Sequence, residues 1–249
     1  FSGRFEASIT DTIFSGNWCG GNGGGLSAET SGDGNVTLIR TSFYNNTVAY
    51  RADVPSPPGS YRGGGFYSSS AAAASGGVFT LLEDCFFEGN RAAAQGGALC
   101  VDGGSLSATG CDFSDNSAGR GGALGASGSY FDDPVATSVA VRGGQLRDNA
   151  ARFYSYTSPE NSGGAVFAQG GAEIALYDVP VVGNSAGFGG AVSLETDAHG
   201  SAWGVNFSGN AAEVGGGAVH VWGNGSRFVA EGCAFLGNAA GGYAVSASS

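Results

Sequence analysis

The 249-residue chain contains no methionine, and its ten Lys+Arg positions are all arginine. Without a lysine there is no amine for Schiff-base chemistry and no ammonium of the kind that clamps nucleotide phosphates. Charged residues make up only 12% of the chain and leave a formal net charge of −11. A phosphate-binding surface needs clustered cations that release counterions, so nucleic acid is not an expected partner. No apolar run approaches the roughly 18 to 20 residues of a membrane-spanning helix, and no charged, apolar, then small-residue signal opens the chain. Lacking an initiator methionine, the chain reads as a mature or excised segment. The two histidines, His199 and His220, stand apart from any Cys or carboxylate at metal-ligand spacing, so no metal is expected and no cofactor is implied.

What the chain does have is glycine, at 48 residues, together with a hydrophobic fraction of 42% that includes 16 Phe. Diluted glycine-rich disorder would not keep its apolar residues in one fixed context. Here a large apolar residue, two others and an Asn recur eight times, at Phe14–Asn17, Phe43–Asn46, Phe87–Asn90, Phe113–Asn116, Leu146–Asn149, Val181–Asn184, Phe207–Asn210 and Phe235–Asn238. A glycine pair follows each. The clearest begin Gly96-Gly97-Ala98-Leu99, Gly121-Gly122-Ala123-Leu124, Gly163-Gly164-Ala165-Val166, Gly189-Gly190-Ala191-Val192 and Gly216-Gly217-Ala218-Val219, with looser copies at Gly23, Gly63 and Gly241. Between each pair and the next Phe lies a short alternating segment of strand period, such as Ser138-Val139-Ala140-Val141.

These units predict a right-handed parallel β-helix of about eight coils, each of three short strands and with corner insertions, filling residues 1–249 as a single all-β domain. One coil cannot bury its own apolar face, but in-register neighbours about 4.8 Å away complete its hydrogen bonds and stack like on like. Phe14, Phe43, Phe87, Phe113, Phe207 and Phe235 are expected to form one buried ladder. Beside them an Asn amide can turn inward because its copies above and below satisfy it. Glycine at the next corner supplies positive φ or close backbone approach. Antiparallel hairpins would not need an Asn at one fixed offset after Phe. The repeated Phe-x-x-Asn and Gly-Gly-Ala-Leu/Val units resemble the chlamydial polymorphic outer-membrane proteins, over residues 14–244. The resemblance implies a β-helical passenger-type fold and an adhesive role.

Residues 47–62 and 150–162 both enlarge the corner between Asn and the glycine pair and should project from one edge. They carry Tyr50, Tyr61, Phe153, Tyr154 and Tyr156, which either anchor a partner or fold back over their own coils. Residues 67–78 and 125–137 enlarge a different corner. Cys85, Cys111 and Cys233 each lie two residues before the inward apolar position, which puts them inside. Cys85 and Cys111 belong to adjacent coils and either pair or remain buried thiols. Glycosylation sequons stand at Asn35, Asn45, Asn206 and Asn224, and Pro55-Ser56-Pro57-Pro58 resembles hydroxyproline-glycosylated wall-protein segments or is a stiff loop tip. Together they favour an extracellular or cell-surface glycoprotein.

Parallel β-helices also include polysaccharide lyases and glycoside hydrolases, which need two carboxylates facing each other across a groove. The available clusters are Asp132-Asp133, Asp112 with Asp115, and Asp197 near His199. None has the paired Asp, Gly-His-Gly and Arg-x-Lys of polygalacturonases. No catalytic residue is therefore assigned, and a structural or adhesive protein is expected rather than an enzyme. Ice binding would want ranks of Thr-x-Thr, and only Thr10 and Thr12 show that spacing. The expected partner is the chain itself, end to end. The first strand, Phe5–Thr10, and the last, Tyr243-Ala244-Val245, belong to complementary partial coils without polar caps, which a filament would complete. Glycans or other cell-surface components are the further candidates.

Overall fold

The computed structural model describes residues 4–49, 61–70, 77–128, 136–152, 161–241 and 246–248. All the regular elements among these residues are β-strands, arranged in four eight-stranded sheets whose neighbours are parallel. Sheet A runs from Phe5–Thr10 to Arg227–Glu231 and sheet B from Ile13–Ser15 to Ala234–Leu236. Sheet C runs from Trp18–Cys19 to Ala239–Ala240, and sheet D from Leu26–Thr30 to Ser246–Ser248. The chain visits A, B, C and D in that order and then starts the next coil, so every strand pairs with its counterpart one repeat away. This is a parallel β-solenoid, as the repeat implies.

The coil has one side more than the sequence reading gave it. Directly after each Asn the backbone pairs for another step, as at Thr47–Val48 or Arg91–Ala92, and these short strands make up sheet C. Two residues carry too little alternation to register as a strand in a sequence. Pairing makes them one, because the Asn corner below and the glycine corner above hold each copy in register.

The interior is a set of columns. In sheet B, Phe14, Phe43, Phe87, Phe113, Leu146, Val181, Phe207 and Phe235 lie on one another in register. The rings stack face to face, 4.8 Å between Phe14 and Phe43, 4.7 Å between Phe43 and Phe87, and 5.0 Å between Phe87 and Phe113. Leu146 and Val181 interrupt the aromatic run before Phe207 and Phe235 resume it at 4.8 Å. The column is buried through its middle, while Phe14 is half-buried and Phe235 is 48% exposed in the outermost described layers.

Beside it runs the asparagine ladder. Asn46, Asn90, Asn116, Asn149, Asn184 and Asn210 are fully buried. Each Nδ2 donates to the Oδ1 of the next Asn, from Asn17 through to Asn238, at 2.8–3.0 Å. Every such Oδ1 also accepts the backbone N–H of the Asn before it, as Asn116 does from Asn90 at 3.0 Å. The second Nδ2 hydrogen goes to the carbonyl of the column residue in the preceding coil, Phe87 in the case of Asn116, at 2.8 Å. The amide therefore uses all its donors and both acceptor positions without water, which is what a buried polar group requires.

The two glycines of each pair do different work. Gly96 sits at φ +67°, a left-handed corner that a side chain would strain. Gly97 has an ordinary φ, but a Cβ there would run into the carbonyl oxygen of Gly122 in the next coil. At the corner between sheets A and B, Thr41, Cys85, Cys111, Val179 and Val205 are buried, so the inward placement of Cys85 and Cys111 holds. All five cysteines are free thiols. The Cys111 sulfur lies 3.4 Å from the Cys85 backbone nitrogen, and its hydrogen bond with Cys85 and its burial hold the thiol well above its usual range. Of the two alternatives, the buried thiols are what this structure contains.

Candidate functional site

Sheet A is a wide face, with strands of five or six residues, whose outward side chains reach solvent along the described solenoid. Strand alternation sends Val139, Ile174 and their equivalents inward and leaves three outward columns. Over the last four coils the first column is Ser138, Glu173, His199 and Arg227, and the middle one is Ala140, Ala175, Ser201 and Val229. The third is Arg142, Tyr177, Trp203 and Glu231. The middle column is the shortest where it is made of Ala140, Ala175 and Ser201, so a trough opens between two taller walls. It encloses about 370 Å³ and runs along the solenoid axis.

One wall is flat and aromatic. The Tyr177 and Trp203 rings stack at 4.7 Å and 7°, and the Arg142 guanidinium lies 4.0 Å over the far face of Tyr177. The rings are half-buried, and Trp203 lines the trough with Tyr177 stacked behind it. The opposite wall is polar, with His199 Nδ1 4.0 Å from Glu173 Oε1 and Arg227 one coil further on. Ser201 donates its hydroxyl to the Ile174 carbonyl at 3.2 Å, leaving the hydroxyl oxygen as an acceptor on the floor.

Sheet D is treated differently. While outward Ser27 in the first coil and Trp222 towards the other end are exposed, outward Tyr67, Cys100, Phe167, Ser193 and His220 are all buried. What covers them is the residue just before each glycine pair. Arg62, Gln95, Arg120, Ser162 and Phe188 form a column of single parallel bridges along the corner between sheets C and D. Their side chains lie over the neighbouring coils as a roof. Arg62 and the Tyr67 hydroxyl both donate to Asp102, the latter at 2.8 Å. Gln95 Nε2 donates to Ser127 at 3.0 Å, and the Arg120 guanidinium sits 5.1 Å over the Phe167 ring. Phe188 packs against His220 at 5.0 Å, with Ser193 Oγ 3.3 Å from the imidazole. Burial pushes the Tyr67 hydroxyl up, as does the Asp102 carboxylate, and burial likewise pushes the Cys100 thiol up. Burial holds His220 below its ordinary pKa. Tyr67, Cys100 and His220 are each held towards the neutral form that packs, so the layer reads as structure and not as a reactive centre.

Of the sequon residues, Asn45, Asn206 and Asn224 are exposed and Asn35 is half-buried on the outer face of sheet A, in register with Phe79. Asp132 and Asp133 lie outside the described residues, as do Tyr50, Phe153, Tyr154, Tyr156, Pro55-Ser56-Pro57-Pro58 and Tyr243-Ala244-Val245. The segments that flank the first two insertions both leave the corner between sheets C and D, and those that flank the other two both leave the corner between D and A. Asp115 occupies a left-handed corner at φ +56°, and Asp112 is bound by Gln145 at 3.2 Å. Asp197 also sits at a corner, φ +60°, while His199 faces the trough. No group of three His, Cys, Asp or Glu among the described residues is placed to hold a metal ion.

Glu173, Tyr177, Trp203 and Arg227 were not singled out in the sequence. They come from strands one coil apart, and only a comparison of equivalent positions shows Tyr177 above Trp203, or Glu173, His199 and Arg227 in one line.

Two stretches, residues 11–29 and 84–102, match the family model described as the Chlamydia polymorphic membrane protein (Chlamydia_PMP) repeat. The second of these runs from the buried Cys85 through Phe87 and Asn90 to the Gly96-Gly97 corner and the sheet D strand Leu99–Asp102. The resemblance carried by Phe-x-x-Asn and Gly-Gly-Ala thus holds in these coils and in the fold they build. No curated protein and no solved structure matches the chain.

Proposed function

We propose that this chain is part of a cell-surface β-solenoid, similar to the passenger region of polymorphic membrane proteins, whose role is structural and adhesive. The observation that carries the reading is the contrast between sheet A, whose outward side chains are solvated along its length, and sheet D, where most of them lie under a roof of side chains. A repeat of this kind sustains a stiff, extended body, and sheet A offers a long solvated surface bearing a trough with aromatic and charged walls. Family repeats whose name refers to membrane proteins support a surface location. The exposed Asn45, Asn206 and Asn224 suit a glycosylated surface protein, with Asn35 as a fourth acceptor. End-to-end association belongs to the same reading, because each coil presents its ladder edges to whatever adjoins it, whether more of the same chain or a second copy.

Beads coated with the 249-residue chain should adhere to cells or cell-wall material, and soluble chain should compete. Absence of adhesion under every surface tested would refute the adhesive role. Light scattering at rising concentration should show growing particles, and a monomer throughout would remove self-association. Glycopeptide analysis of native material should find glycan on at least one of the four Asn residues.

The second reading is a polysaccharide-active enzyme, favoured by a carboxylate, Glu173, beside His199 in a groove. It requires release of reducing or unsaturated ends from a polysaccharide, lost in Glu173→Gln. The non-enzymatic reading predicts no turnover.

A further inference from the structure

We infer that the sheet A trough binds an extended, uncharged oligosaccharide laid along the solenoid axis. The inference deepens the adhesive reading and rests on it. Coils repeat every 4.8 Å or so, so the trough is straight and runs across several coils, which suits an extended chain. Its floor of Ala140, Ala175 and Ser201 lets such a chain approach the sheet closely.

The walls select the chemistry. A sugar ring has apolar C–H surface and hydroxyls that both donate and accept. Trp203 supplies apolar surface with a polar handle on its ring, and the Tyr177 ring stacked on it holds it in place. Across the trough Glu173 accepts, Arg227 donates and His199 does either according to its tautomer. A small number of convergent polar groups beside apolar walls is the ordinary make-up of a small-molecule site.

Two other polymers fit less well. A polyanion would meet Glu173 and Glu231 on a chain of net charge −11, with Arg142 and Arg227 only balancing those carboxylates. An extended peptide is recognised through free backbone groups at a sheet edge. The trough lies on a sheet face whose strands already pair on both sides, from Thr137–Arg142 through His199–Trp203.

The test is calorimetric titration of the whole 249-residue chain with neutral gluco-, xylo-, manno- and chito-oligosaccharides, with polygalacturonate and heparin as anionic controls. At least one neutral series should bind. Trp203→Ala should weaken that binding roughly tenfold or more, and Ala175→Gln, which fills the floor and removes no contacting group, should do the same. The urea midpoint should move little in both variants, since both side chains face outward. The inference is overturned if no neutral series binds, if only the polyanions bind, or if neither variant weakens binding. Adhesion of coated beads without any neutral saccharide binding would leave the adhesive reading standing and remove this one.

Discussion

Sheets A and D are made of strands of three to six residues, each with one side in the same core, yet most of their outward side chains have opposite fates. On sheet A the outward Phe79 is 46% exposed, whereas on sheet D the outward Phe167 is wholly buried. Strand parity cannot account for this, because it is the same in both. The cause is the corner that precedes sheet D, where Arg62, Gln95, Arg120, Ser162 and Phe188 turn their side chains over the next coils. Among the described residues no such column of bridges flanks sheet A. A solenoid can thus seal one face with a single residue per coil and leave another free for recognition.

The interior shared by both faces sets the largest expected effect. Replacing Asn116 by Leu deprives the Asn90 backbone N–H, the Asn90 amide and the Phe87 carbonyl of a buried partner at once. At about 1–3 kcal/mol for each of the three groups the loss is roughly 3–9 kcal/mol, read as a fall in the urea midpoint. An unchanged midpoint would mean that the ladder is decoration.

The contrast itself is sharpened by truncating one Phe on each face. Phe167→Ala, under the Arg120 roof, should cost about 3 kcal/mol or more, as for a ring in a packed core. Phe79→Ala on the open face should stay within about 1 kcal/mol. Equal losses would erase the distinction between the two sheets.

Smaller again is the pH effect of His220. Burial lowers its folded pKa below the ordinary 6.5, so the unfolded chain takes up the proton first as pH falls. Its contribution is complete above that value and is lost as pH falls below it towards the folded pKa, at no more than about 1.4 kcal/mol per pH unit. The urea midpoint of the native chain should therefore drop more between pH 8 and pH 5 than that of His220→Gln. Smallest of all, Ala175→Gln on the open floor should leave stability within about 0.5 kcal/mol.

Much of this architecture is legible in the sequence, and the reason is repetition. Phe-x-x-Asn names the column and the ladder because both need one residue type at one place in every coil. The glycine pairs name the corner, since one position needs positive φ and the next has no room for a Cβ. The alternation of Ser138-Val139-Ala140-Val141 gives the open face directly.

The roof is hidden because Arg62, Gln95, Arg120, Ser162 and Phe188 share a position and not a chemistry. Its trace lies in the sheet D strands themselves. Leu99-Cys100-Val101 and Val166-Phe167-Ala168 are apolar at successive positions, as strands buried on both faces are. The trough is hidden for a related reason. Its walls combine residues from separate coils, and the floor is defined by small side chains rather than by a motif.

The native cysteines allow the division into a sealed and an open face to be measured directly. Cys100 points outward from sheet D but is buried under the roof, and Ser201 points outward from sheet A into the trough. Site-resolved alkylation of the folded chain carrying Ser201→Cys, read by peptide mass spectrometry, should modify the introduced thiol rapidly. Cys100 should react at least about a hundredfold more slowly, at a rate set by opening of the structure. Comparable rates at the two positions would contradict the account.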